Sequence, residues 1–282
     1  MVNIARKSKF KKMKKVDDAA FANGRREKLL DYKTYAAEAD DLLARIVKTS
    51  DRLADPIWCQ GKDTATILRM TGARAEYALN LLALQYSAGM PVESLPDAYV
   101  KALNYFEVYA KVSSQYNQEQ GASYRSPHIT LGNAEFVNAN RLVCFAILLG
   151  CINKLGRVAS IIDYDCPARD GMLERLLGQY LQGRQNSLEC TRRLPYSKTL
   201  KIFDAQDRHR PEMLSAYLAE WYADSRLEPY YESCKRGNGF TGYWSWEAAA
   251  ITVVLDIDDT DYRTAPFYPR DLVDFARQAG NS

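Results

Sequence analysis

Gly242-Tyr-Trp-Ser-Trp-Glu-Ala-Ala-Ala-Ile-Thr-Val-Val-Leu-Asp256 is the most apolar run in this chain of 282 residues. Read as a helix, it lines up Trp246, Ala249, Ala250, Val253, Val254 and Ile257 on one face. Trp244, Ala248, Ile251 and Leu255 make the opposite side apolar as well. A helix that is hydrophobic all round belongs in the interior of a larger protein. The run is also shorter than the roughly 20 residues a bilayer crossing needs. It therefore predicts a central core helix for the C-terminal half and an all-α fold around it.

Working outward, the run ends in an acidic cluster, Asp256-Ile-Asp258-Asp259-Thr260-Asp261. An apolar stretch followed by Asp256-x-Asp258-x-Thr260 is also how the nucleophile motif of a magnesium-dependent haloacid-dehalogenase phosphatase is written. There Asp256 would attack phosphorus and Asp258 would act as acid and base. Two features argue against that chemistry. The segment before the motif reads as a helix rather than a strand, and too few residues follow Thr260 for the downstream lysine and paired aspartates such enzymes need. The plainer reading is a turn, because Asp and Thr after a helix bond readily to nearby backbone. Glu247 stands alone inside the apolar run. A buried carboxylate is costly unless it is hydrogen-bonded or paired, so a structural bond to a tyrosine, a backbone group or an arginine is expected there.

Composition narrows the possibilities. A hydrophobic share of 47% and an aromatic share of 11% fit an ordered globular chain. The net charge of +3 is unevenly placed. Residues 1–15 carry seven basic side chains and no acid, whereas residues 160–282 carry 15 basic and 19 acidic ones. A protein that grips DNA by its backbone needs a basic face, and the expected folded body lacks that excess. Direct nucleic-acid binding is thus left to the Lys-rich arm, as the alternative reading. Two acidic groups, Asp163/Asp165/Asp170/Glu174 and Asp258/Asp259/Asp261, are the candidate partner-binding patches, since an acidic surface suits a basic protein partner.

The six cysteines form no CxxC pair, and His128 and His209 have no metal-ligand spacing. No phosphate loop, GxSxG or HExxH occurs. No cofactor, metal or catalytic residue is expected, and nothing reads as a signal peptide, lipidation motif or membrane span. The expectation is a reduced, cytoplasmic protein; monomer and homodimer both stay open.

Helical periodicity runs over 25–48, 63–86, from Pro96, over 133–149, from Asp170, from Pro211 and from Pro269, giving about ten helices. The acidic, Pro-containing stretch near Pro167 suggests a boundary. The expected organisation is a basic arm at 1–20, an N-terminal helical domain at 21–165 and a C-terminal helical domain at 166–282.

Several of these segments together resemble one family. Gly242-Tyr-Trp-Ser-Trp-Glu-Ala-Ala-Ala-Ile251, Ile257-Asp-Asp-Thr260, Tyr268-Pro-Arg-Asp-Leu272 and the pair Trp221-Tyr222 are similar to the C-terminal domain of PoNi-type immunity proteins (the DUF1911 type). Arg25, Tyr86-x-x-Gly89 and the helix at 133–149 are similar to its N-terminal partner domain (the DUF1910 type). The resemblance implies an all-helical antitoxin that binds and blocks a PoNe-type DNase effector delivered by type VI or related secretion systems. It implies structural motif positions at Trp221, Tyr222, Tyr243, Trp244, Trp246, Glu247, Pro269 and Asp271. The Lys-rich arm has no counterpart in the pattern.

Overall fold

The computed structural model describes residues 15–121, 135–163, 169–185 and 189–280. Among these the chain is helical with no strand, and twelve α-helices are present. They fall into two compact units, one holding α1 to α5 with Ser233–Gly242, the other holding the remaining helices.

In the first unit, α1 (Asp18–Gly24), α2 (Tyr32–Ala54), α3 (Pro56–Gln60) and α4 (Thr64–Ser87) each start at an aspartate. Asp17, Asp31, Asp55 and Asp63 accept hydrogen bonds from first-turn backbone N–H groups, which would otherwise lack partners. The fifth helix, α5 (Pro96–Glu119), opens on a proline, whose missing N–H costs nothing at that position. The long α4 packs against both α2 and α5. Between them lie Tyr35, Leu42, Ile46, Leu79, Leu82, Tyr99, Leu103 and Phe106, all buried.

The helix expected from residue 25 starts later, at Tyr32. The intervening segment is spent on other bonds. Arg26 N–H and Glu27 N–H donate to Ser87 O, and the Arg26 guanidinium donates to Tyr86 O and Met90 O. Gly89 closes this junction at φ 94; a Cβ there would sit 2.4 Å from the carbonyl carbon of Gly24. Only glycine takes that conformation at that distance.

The second unit is built on α6 (Glu135–Leu148) and α11 (Trp246–Val254), which pack against each other. Every residue of α11 from Trp246 to Thr252 is buried, and so is every residue of α6 from Ala139 to Leu148. Around them lie α7 (Leu155–Asp163), α8 (Gly171–Gly178), α9 (Thr199–Asp204), α10 (Arg210–Asp224) and α12 (Arg270–Gly280). One expectation is corrected here. The core helix begins at Trp246, because the stretch before it is anchored differently: Ser245 N–H donates to Phe267 O at 2.9 Å. By packing alone, the second compact unit takes in helices that precede residue 165. Helices α6 and α7 belong with the C-terminal elements, since an all-round apolar α6 needs cover on every side and α7, α8, α11 and α12 supply it.

Candidate functional site

Glu247 sits in the first turn of α11 and is 1% exposed. Its Oε1 accepts from the Trp221 indole N–H at 2.6 Å, the Tyr217 hydroxyl at 2.7 Å and the Ser245 hydroxyl at 2.8 Å. Its Oε2 accepts from the Asn140 side-chain amide at 3.2 Å. Two donors come from α10, one from α6 and one from the residue before α11, so the carboxylate ties three helices together. Burial, and then the Glu247 charge, push the Tyr217 hydroxyl far above its ordinary range, which keeps it a donor. Tyr230 stacks on Trp221 at 5.4 Å and closes this side. No ion pair reaches Glu247 among the described residues. The arrangement surrounds the carboxyl group with neutral donors, three on Oε1 and one on Oε2. Sequence reasoning singled out Glu247 and Trp221 but missed Asn140, Tyr217 and Ser245. Polar residues inside an apolar periodicity, such as Asn140 in α6, were the available signal.

The remaining motif positions are mostly core. Tyr243, Trp246 and Pro269 are buried, Tyr222 and Trp244 partly so. Asp271 lies in the first turn of α12, where a negative charge is favourable.

The two expected acidic patches come out differently from each other. In the first, Asp170 and Glu174 are interior groups, 1% and 3% exposed, and this corrects their reading as partner-facing acids. Asp170 caps α8 by accepting from Met172 N–H and Leu173 N–H, and also holds Thr191 through its N–H at 2.8 Å and its hydroxyl at 3.1 Å. Burial pushes its carboxyl up despite those four bonds. Arg184 bridges Glu174 and Asp163, and Arg169 reaches Asp163 at 3.3 Å. Asp165 lies outside the described residues.

The second patch alternates. Asp256, Asp258 and Asp261 are exposed, whereas Asp259 is 4% exposed and points inward. The reading of Asp259 as a contact residue is corrected accordingly. Its carboxylate accepts from Arg277 at 2.8 Å, Arg263 at 3.0 Å and the Tyr268 hydroxyl at 3.0 Å. Burial works against the Asp259 anion, but the bonds from Arg277 and Tyr268 outweigh it and the carboxyl titrates below its usual range. Arg277 also donates to Ile257 O at 2.6 Å, and Arg263 reaches on to Asp274. The turn is thus clamped from within. On the outside, Asp258 accepts from the Thr260 hydroxyl and N–H, and those bonds hold its carboxyl below the usual range, so it stays charged at neutral pH.

Asp256 follows a helix rather than a strand and has φ 48. Among the described residues no group of three or more His, Cys, Asp or Glu side chains is placed to hold a metal. No described helix is long and apolar enough to cross a membrane. The Lys-rich arm falls outside the described residues apart from Lys15, which pairs with Asp40 at 2.5 Å; His128 also falls outside them.

Comparison with known proteins adds two findings. A family model described as "PoNe immunity protein (PoNi), N-terminal" matches residues 25–159, and one described as "PoNe immunity proteins (PoNi), C-terminal" matches residues 168–272. Among solved structures, the crystal structure of protein PA2201 from Pseudomonas aeruginosa is similar, with a TM-score of 0.75 at 22% identity. The match covers 93% of this chain and 94% of that one, a likeness of fold. No curated protein matches.

Proposed function

Since the chain belongs to the family of PoNe immunity proteins, both of whose halves it matches, we propose that it neutralises a cognate antibacterial DNase of the PoNe type by binding it. The match to both halves carries the reading. The toxin is a secreted effector of a type VI or related system, and the immunity protein meets it in the cytoplasm. It acts as a stoichiometric inhibitor, not as an enzyme.

The acidic turn at Asp256, Asp258 and Asp261 is the contact surface that best suits such a partner. A DNase presents cations to the phosphate backbone. Three exposed carboxylates on a clamped turn oppose that charge without having to be ordered first, which favours fast and selective encounter. The interface should bury at least about 1,200 Å², the lower end for a stable specific complex.

Co-expression tests the proposal. The intact chain should protect cells from the cognate toxin and copurify with it. Continued killing with the chain abundantly expressed would overturn the immunity reading. The triple variant Asp256→Asn/Asp258→Asn/Asp261→Asn should bind the toxin at least tenfold more weakly, mainly through slower, less salt-sensitive association. Unchanged association would move the contact surface elsewhere and leave the immunity reading standing.

A further inference from the structure

Arg74 lies on α4 and is 6% exposed. Its guanidinium carbon stands 4.3 Å from the centre of the Tyr105 ring on α5. Its Nε–H is buried and finds no acceptor. No carboxylate among the described residues pairs with it; burial disfavours its charge, and the Tyr105 ring lies beside it. Other arginines that are less enclosed fare better: Arg184, Arg192, Arg263 and Arg277 each reach a carboxylate. A cation withdrawn from water without a counter-charge is strongly disfavoured, and a tyrosine face offsets only part of that.

A second buried polar group, beside the same tyrosine, is also left over. The Ser50 hydroxyl on α2 neighbours the Tyr105 hydroxyl, yet no hydrogen bond of good geometry satisfies it. Three helices of the first unit thus bring together a guanidinium edge, a serine hydroxyl and a phenol. Ser50 and Tyr105 are each partly exposed, so the cluster reaches the surface.

We propose that Ser50, Arg74 and Tyr105 form an anion-binding subsite that takes a single carboxylate group. The guanidinium offers a planar fork suited to two in-plane carboxylate oxygens, and the hydroxyls add donors beside it. One cation fits one negative charge; a dianion would exchange an unpaired cation for an unpaired anion. The group comes either from a free small carboxylate or from an acidic side chain of a partner protein. This site lies in the first unit and is independent of the acidic turn.

Thermal unfolding of the full chain in increasing sodium acetate, with ionic strength held constant by sodium chloride, reads out occupancy. A ligand that binds only the folded state raises the melting temperature in a saturable way. That rise is expected for the natural chain and should vanish in Arg74→Met, which keeps the bulk and removes the charge. No saturable rise, or an equal rise in Arg74→Met, overturns the proposal. If Arg74→Met does not fold, saturation transfer from the natural chain to acetate, displaced by formate, decides instead; no transfer overturns the site. N-acetylglutamate amide separates the two sources. Its binding as well as acetate's marks a site open to a partner's side chain, and binding of acetate alone marks a site for the free anion.

Discussion

Glu247 and Asp259 are two buried carboxylates in the same unit, at opposite ends of one motif, and they are held by opposite means. Glu247 is surrounded by an indole, a phenol, a serine hydroxyl and an amide, all neutral. Asp259 is gripped by two arginines and a phenol. The first solution surrounds the carboxyl with neutral hydrogen bonds alone; the second sets two guanidinium cations against it at the edge of the core. The difference teaches that a buried acid can serve either as a knot between helices or as a clamp under a turn. Its donors, more than its own chemistry, decide which.

Removing the knot should do the most damage. Glu247→Ala leaves four buried donors without an acceptor and should destabilise the protein by about 3 kcal/mol or more in denaturant titration. Glu247→Gln keeps the shape but points an amide N–H₂ at existing donors, so it should recover only part of the loss. If Glu247→Ala melts like the natural chain, the knot is a coincidence of packing and the contrast collapses.

Breaking the clamp should cost less, because Arg263 and Arg277 can turn to water. Asp259→Asn should destabilise by about 1–3 kcal/mol. It should also flatten the acid limb of the stability profile. The Asp259 carboxyl titrates lower in the folded state than when unfolded. The stability it supplies is therefore present above the ordinary carboxylate range of about pH 4 and is lost as pH falls through the lowered folded value. Denaturation midpoints from pH 7 down to about pH 2.5 would check this, and an undiminished acid limb in Asp259→Asn would count against the clamp. Tyr268→Phe removes a single donor from the same carboxylate and should cost about 1 kcal/mol. The exposed acids form the smallest term. Asp256→Asn/Asp258→Asn/Asp261→Asn should change stability by no more than about 0.5 kcal/mol per site, while changing toxin association as set out above.

Much of this architecture was legible in the sequence. Periodicity located α4, α5, α6, α10 and α12 closely, and Asp or Pro marked the starts of all but α6. The centrality of the Trp246 helix followed from its all-round apolarity. What periodicity could not show was the far partner. Asp170 and Glu174 looked like surface acids because nothing near them in sequence announces Thr191 or Arg184. Asp259 resembled its neighbours Asp258 and Asp261 until Arg263 and Arg277 were seen to converge on it. The start of α2 was misjudged for a related reason: Arg25 to Asp31 has a helical pattern but finds better backbone partners at Tyr86, Ser87 and Met90.

The alternation along 256–261 has an evolutionary consequence. The side chain that holds the turn faces in, and those that meet solvent face out. Substitution at 258 or 261 therefore meets little resistance from folding, at 256 the positive φ favours Asp, Asn or Gly, and substitution at 259 meets much. A lineage under pressure from a changing toxin can revise the outward residues one at a time and keep its scaffold throughout. Diversity among such proteins should gather at the outward positions and thin out at the inward one.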